Sequence, residues 1–236
     1  MQIMEFEFII GIHGIYALCI PIIVWRIDMS YYLKDLIDLR KKFVKAYDSK
    51  KYADALDFGT RIVDLYKDNN ACKTEDYAED LYNLAIICDD MHITEKAKEY
   101  YKESAKLKKD ILGENSQSYF DSLTNLGILH SVLGEFDEAE EVLKTVSGCI
   151  KNNAGVNTAE YVESLYNLGN MYVDAEKYDM GISILSEALE CAKRIKNYDP
   201  QEYIDIHVSI ADACAKSGNY RRACDEYRSE ERRVGK

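Results

Sequence analysis

The feature that most constrains this chain is a tetrapeptide that returns at a fixed interval: Leu81-Tyr82-Asn83-Leu84, Leu123-Thr124-Asn125-Leu126, Leu165-Tyr166-Asn167-Leu168 and, in worn form, His207-Val208-Ser209-Ile210. Each copy begins 42 residues after the one before. A strict period of that length puts matching residues in equivalent places of stacked units, each burying its apolar face against its neighbours. The period runs through the whole unit. The small residue after each tetrapeptide (Ala85, Gly127, Gly169, Ala211) is followed twelve positions later by another (Ala97, Ala139, Gly181, Ala223). Such a pair lets two helices approach closely where they cross. Three positions before the second small residue stands an aromatic, Phe136, Tyr178 or Tyr220 with Thr94 as the exception, placed to wedge the turn of a helical hairpin.

Apolar spacing supports the hairpin. In the second unit Leu123, Leu126, Gly127, His130 and Leu133 follow one helical face, and Phe136, Ala139, Val142 and Leu143 follow another after a break at Gly134. Gly113, Gly155 and Asn197, one period apart, are residue types that accept the left-handed backbone closing a helix. Thr74 and Thr158 read as N-caps, and Asp199-Pro200-Gln201-Glu202 as a cap, a Pro at the first helical position and a capping-box Glu. A chain of 236 residues with 47% hydrophobic residues, 2 Pro and 12 Gly suits long helices joined by short turns. An earlier, degraded unit precedes the array. Tyr52 and Ala55 fall in register, Leu33, Leu36, Ile37 and Leu39 supply a first helix, and Lys42 stands where other copies have Leu or Ile. An atypical terminal unit is what a capping repeat requires. The expected organisation is a hydrophobic segment at 1–28, a capping hairpin at 29–73, an array of three full hairpins and one incomplete hairpin at 74–227, and a tail at 228–236.

On these residues the chain resembles the tetratricopeptide repeat: Leu at the fourth and seventh positions, Gly or Ala at the eighth, Ala or Gly at the twentieth. The usual period is about 34; the longer one here is similar to that of kinesin light chains and their bacterial relatives. Ile111-Leu112-Gly113-Glu114-Asn115 followed by Ser122-Leu123-Thr124-Asn125-Leu126-Gly127 resembles that subfamily's linker and first helix. One departure is the eleventh position, often aromatic in the family and here Cys88, His130, Tyr172 and Cys214. The resemblance implies an all-α, right-handed superhelical solenoid of antiparallel helix hairpins, with the first helix of each hairpin lining a concave face. It further implies that positions 2, 5, 6, 9, 12 and 13 point into that groove. The binding residues it nominates are Tyr82, Asn83 and Ile86, then Asn125 and Ile128, then Tyr166, Asn167, Asn170 and Asp174, and finally Asp212. Position 12 would add Asp89, Ser131, Val173 and Ala215. Acids outnumber the single groove lysine, Lys216.

Chemistry favours a peptide in such a groove. Each amide of Asn83, Asn125 and Asn167 can donate to a backbone carbonyl and accept from a backbone N–H; alternatively the Asn side chains fix neighbouring helices to each other. Tyr82, Tyr166, Ile86, Ile128 and Val173 would form apolar pockets, and the acids would select basic side chains. The formal net charge of -12 argues against nucleic acid, which needs clustered Lys and Arg. The expected partner is a protein or peptide of apolar or basic character. The Lys and Arg of the family's carboxylate clamp are missing, which disfavours chaperone tails. No phosphate loop, zinc spacing or nucleophile motif occurs, so no cofactor, no metal and no enzymatic activity are expected. His130 and Cys88 share a register and are expected to pack rather than to bind metal. Lys96, Lys98, Lys102, Lys106, Lys108 and Lys109, interleaved with Glu95, Glu99 and Glu103, read as a solvated convex face. The expected function is a non-catalytic protein-protein interaction scaffold; the alternative is a peptide-responsive regulatory module controlling a C-terminal region absent from this chain.

The ends and the cysteines bear on location. Seven scattered Cys without CxxC spacing suit buried thiols in a reducing compartment, and the expected localisation is cytoplasmic. Phe8 to Trp25 is 18 residues without a formal charge, about the minimum for crossing a bilayer. Glu5 and Glu7 before it, with Arg26 and Lys34 after it, would leave the repeats cytoplasmic if it spanned. Gly11, His13, Gly14, Pro21 and the internal Met29 favour instead a mis-assigned start or a docked extension. At the other end the apolar register fails at Arg228, where Glu230 and Glu231 replace apolar residues, so 228–236 reads as a non-native tail that truncates the natural chain.

Overall fold

A computed structural model describes residues 16–226. The chain forms two compact units, Met1–Cys72 and Lys73–Lys236. In the first, α1 (Tyr16–Asp48) turns back on α2 (Tyr52–Asp68). Its core is Tyr32, Leu36, Leu39 and Ala46 from α1 with Ala55, Ile62, Val63 and Tyr66 from α2. Arg40 Nη2 donates to Tyr66 Oη at 2.7 Å. Leu36 and Leu39 occupy the expected core, whereas Leu33 and Ile37 are exposed, because the apolar band of α1 is wider than one neighbouring helix covers. Among the described residues no helix is long and apolar enough to cross a membrane. Residues 8–15 of the predicted hydrophobic segment and the tail at 228–236 lie outside the described residues.

The second unit contains α3 (Glu75–Asp90), α4 (Thr94–Leu112), α5 (Gln117–Val132), α6 (Phe136–Asn153), α7 (Ala159–Asp174), α8 (Tyr178–Ala192) and α9 (Pro200–Lys216). Residues 220–226 begin a further helix, and no strand occurs among the described residues. Helices α3 and α4, α5 and α6, and α7 and α8 pair as hairpins, and each second helix also packs on the first helix of the next hairpin. The fold is the expected all-α solenoid of helix hairpins.

The sequence signals act where expected. Thr74, Ser116 and Thr158, one period apart, accept from the backbone N–H of Tyr77, Tyr119 and Tyr161, and Asp199 caps α9 ahead of Pro200. Gly113, Gly155 and Asn197 have φ of 90°, 87° and 60°. A second left-handed register lies inside each hairpin turn: Lys50, His92, Gly134, Glu176 and Gly218 all have positive φ, although only two of them are glycine. The paired small residues meet at the crossings. A Cβ on Gly169 would fall 2.6 Å from Leu185 Cγ, and one on Gly181 would lie 3.0 Å from the Gly169 carbonyl oxygen. One core runs from the second full hairpin into α9, from Phe120 and Val146 through Leu165, Leu185 and Leu189 to Ile206 and Ile210.

Candidate partner-binding face

The nominated residues lie on the four first helices, on the side left partly open by the second helices. Ile128, Asp174 and Asp212 are exposed; Tyr82, Asn83, Ile86, Asn125, Tyr166, Asn167 and Asn170 are half-buried. Position 12 departs from the expectation. Ser131 and Val173 are buried, because this position falls one turn after the small eighth residue and faces the paired helix. The bare Cα of Gly181 lets the α8 backbone press on Val173, whose Cγ2 would be 2.7 Å from a Cβ there. Asp89 at the same position is partly buried, and burial, then the adjacent Asp90 carboxylate, raises its pKa.

The three Asn rungs are not equivalent. Asn125 Nδ2 donates to Tyr82 Oη of the preceding hairpin at 2.9 Å, which ties α5 to α3. Its successor two hairpins on does the same more weakly: Ser209 Oγ lies 3.5 Å from Tyr166 Oη. Asn125 therefore fixes neighbouring helices, the structural alternative raised for these side chains. Asn83 and Asn167 form no side-chain hydrogen bond with any described residue.

The lysine-rich stretch of α4 contains a residue that sequence reasoning misplaced. Lys108 is 1% exposed, not part of a solvated face. Its Nζ lies 2.8 Å from Glu79 Oε2 and 4.2 Å from the centre of the Tyr82 ring. The signal was available in the period: one and two steps on from Lys108 stand Ile150 and Ala192, both buried. A lysine at a core register position must bury its methylene stem and find an anion and a ring for its head. Lys98, also assigned to the solvated face, is largely covered and bonds Glu135 at 2.9 Å, and Glu135 in turn meets His130 Nδ1 at 2.5 Å. That contact and the burial of Cys88 make both residues parts of the packing.

Position 2 is acidic throughout the second unit: Glu79, Asp121, Glu163 and Asp205. They are compensated in different ways. Glu79 has Lys108. Asp121 and Asp205 accept from the side-chain amides of Gln117 and Gln201, both at 2.9 Å. Glu163 has no ion pair or hydrogen bond with any described residue. Burial raises its pKa, and the Glu202, Asp121 and Glu160 carboxylates push the same way. Burial, then Asp121 and Glu79, likewise raises the Tyr82 hydroxyl. Among the described residues no group of three His, Cys, Asp or Glu side chains is arranged to hold a metal ion.

Comparison with known proteins agrees with this architecture. Residues 162–193, the α7–α8 hairpin, match the tetratricopeptide repeat family. Among solved structures, the nearly identical TPR-like repeats of a putative kinesin light chain from Podosopora anserina are 14% identical, with 83% of this chain and 92% of that one covered and a TM-score of 0.73. BtubC from P. vanneervenii is 16% identical over 85% of this chain and 90% of its own, with a TM-score of 0.62. A Rap protein solved in complex with competence and sporulation factor is 12% identical over 83% of this chain and 52% of its own, with a TM-score of 0.64. No curated protein matches the chain. The likeness at these identities is one of fold: the chain is a TPR-like helical solenoid, similar to the kinesin light chain-like repeats.

Proposed function

We propose that this chain is a non-catalytic interaction scaffold that holds an extended peptide segment of a partner along the acidic first-helix face. The observation that carries the reading is an apolar step on α5: Val132 and Ile128 are 75% and 37% exposed. At the register of Val132 the adjoining hairpins carry Asp90 and Asp174, both exposed. An isolated surface Val needs no explanation. Here it lies on the same face as Asn83 and Asn167, whose amides suit a peptide backbone, and between carboxylates that suit basic side chains. A segment in which apolar and basic residues alternate fits that surface. The comparison with Rap supports the reading, since a TPR-like neighbour was solved with a bound factor. Cys72, Cys88, Cys149, Cys191, Cys214 and Cys224 are free thiols, which supports a reducing, cytoplasmic setting.

Selection from a displayed library of random peptides tests this. Enriched sequences should pair Lys or Arg with aliphatic residues. Val132→Asp should abolish their binding without changing the circular dichroism, because the side chain it replaces packs on little. A library that yields no binders, or binders indifferent both to Val132→Asp and to the pair Asn83→Ala and Asn167→Ala, contradicts the proposal.

A further inference from the structure

The first and third full hairpins carry the same local device on their first helices. In the first, Glu79 precedes Tyr82 by one helical turn, and Asn125 of the next hairpin holds the Tyr82 hydroxyl. In the third, Glu163 precedes Tyr166 by one turn, and Ser209 of the next hairpin approaches the Tyr166 hydroxyl. The first device is filled from within by Lys108, whose ammonium rests between the Glu79 carboxylate and the Tyr82 ring. At the register of Lys108 the third hairpin has Ala192, the last residue of α8. Ala192 is buried and carries no charge to that place. Lys193 does not substitute for the missing cation, since its ammonium is held by Glu190 at 2.6 Å. The charges acting on Glu163 are the carboxylates of Glu202, Asp121 and Glu160.

We infer that Glu163 and Tyr166 form an open subsite for the ammonium of a lysine side chain on the bound peptide, the external counterpart of the place that Lys108 fills in the first hairpin. This rests on the reading of the first-helix face as a peptide groove. A carboxylate and an aromatic face one turn apart on a helix attract a primary ammonium by ion pairing and by the ring quadrupole. The occupied copy in the same molecule shows that the Glu-x-x-Tyr arrangement accommodates an alkylammonium with its stem buried. Where Lys108 brings that stem from the opposite helix, Ala192 brings none, so the partly exposed Glu163 carboxylate is left for a cation from outside.

Fluorescence anisotropy with a labelled peptide of alternating Lys and Ala tests the subsite, with the same peptide acetylated on every lysine as control. Glu163→Gln should weaken binding of the unmodified peptide about tenfold, the size of one partly desolvated ammonium contact. Ala192→Lys, which supplies the internal cation, should weaken it as much. The acetylated peptide should bind weakly to the parent protein and respond to neither change. Equal binding of the unmodified peptide to the parent and to Glu163→Gln overturns the subsite, as does no binding at all. Should Ala192→Lys not fold, Glu163→Gln still decides, because that carboxylate is only partly covered and has no ion pair or hydrogen bond with a described residue to lose. Val132→Asp separates the two readings: if it abolishes binding while Glu163→Gln does not, the groove stands without the subsite. If the reverse holds, the lysine contact stands and the Val132 step is no part of the groove.

Discussion

The first and third full hairpins have almost the same first helix and different second helices. Tyr77-Ala78-Glu79-Asp80-Leu81-Tyr82-Asn83-Leu84 and Tyr161-Val162-Glu163-Ser164-Leu165-Tyr166-Asn167-Leu168 agree at every Tyr, Glu, Leu and Asn that shapes the face. Both begin at a Thr cap, and in both the first tyrosine donates to a glutamate of the paired helix at 3.1 Å, Tyr77 to Glu103 and Tyr161 to Glu187. The second helices part company: α4 has 19 residues with Ser104 and Lys108 buried on its inner side, whereas α8 has 15 with Ala188 and Ala192 at those registers. In a repeat array the helix that lines the face does not by itself decide what the face can bind. The helix behind it decides whether an acidic, aromatic step is closed from within or left open.

The largest expected effect comes from emptying the closed step. Lys108→Ala should cost about 2–3 kcal/mol in urea unfolding, since it leaves a void and removes the partner of Glu79. Lys108→Met, which keeps the stem and drops the charge, should fall within about 1 kcal/mol of the parent. If Met is as damaging as Ala, the charge rather than the filling holds the hairpin, and the contrast with Ala192 must be redrawn in those terms. A middle-sized effect concerns the inter-hairpin links. Asn125→Ala should cost about 1 kcal/mol through its 2.9 Å bond to Tyr82, while Ser209→Ala, at 3.5 Å from Tyr166, should cost only about a few tenths. Equal losses would mean that the two hairpins are tied alike.

The smallest effect is one of pH. Glu163 has its pKa raised in the fold, so the folded state binds the proton more tightly than the unfolded chain does. Its contribution is therefore most favourable at low pH and is lost as pH rises from the ordinary glutamate range through the folded value. Glu163→Gln should raise the melting temperature slightly at pH 7, and the difference should close below about pH 4. Glu79→Gln should have the opposite sign at pH 7, because it leaves the Lys108 ammonium buried without its anion. Melting temperatures that move together would erase the distinction between the two hairpins.

Much of the fold was legible because it depends on features that repeat. The tetrapeptide leucines, the small pairs Gly127/Ala139 and Gly169/Gly181, the caps at Thr74 and Thr158, and the left-handed Gly113, Gly155 and Asn197 all act in register. What stayed hidden depends on single exceptions to the period. Lys108 looked like one of six surface lysines; only its alignment with Ile150 and Ala192 marks it as a core residue. The left-handed turns at His92 and Glu176 carry no glycine to announce them, and only Gly134 and Gly218 at the same register give them away. The candidate face was legible in outline, but position 12 turns inward and Asn125 serves its neighbour. The first follows from how closely α8 approaches α7 and the second from the reach of the Tyr82 side chain toward α5, neither of which a residue type encodes alone.

The most direct test of the account is amide chemical-shift mapping of the lysine-alanine peptide on the isotope-labelled protein. The account predicts perturbations along the first-helix face of α5 and α7, at Ile128, Val132, Glu163, Tyr166, Asn167 and Asn170, with the α3 step around Glu79 and Tyr82 little affected because Lys108 already fills it. Perturbations confined to the outer sides of α4, α6 and α8, or as large at Glu79 as at Glu163, would contradict it.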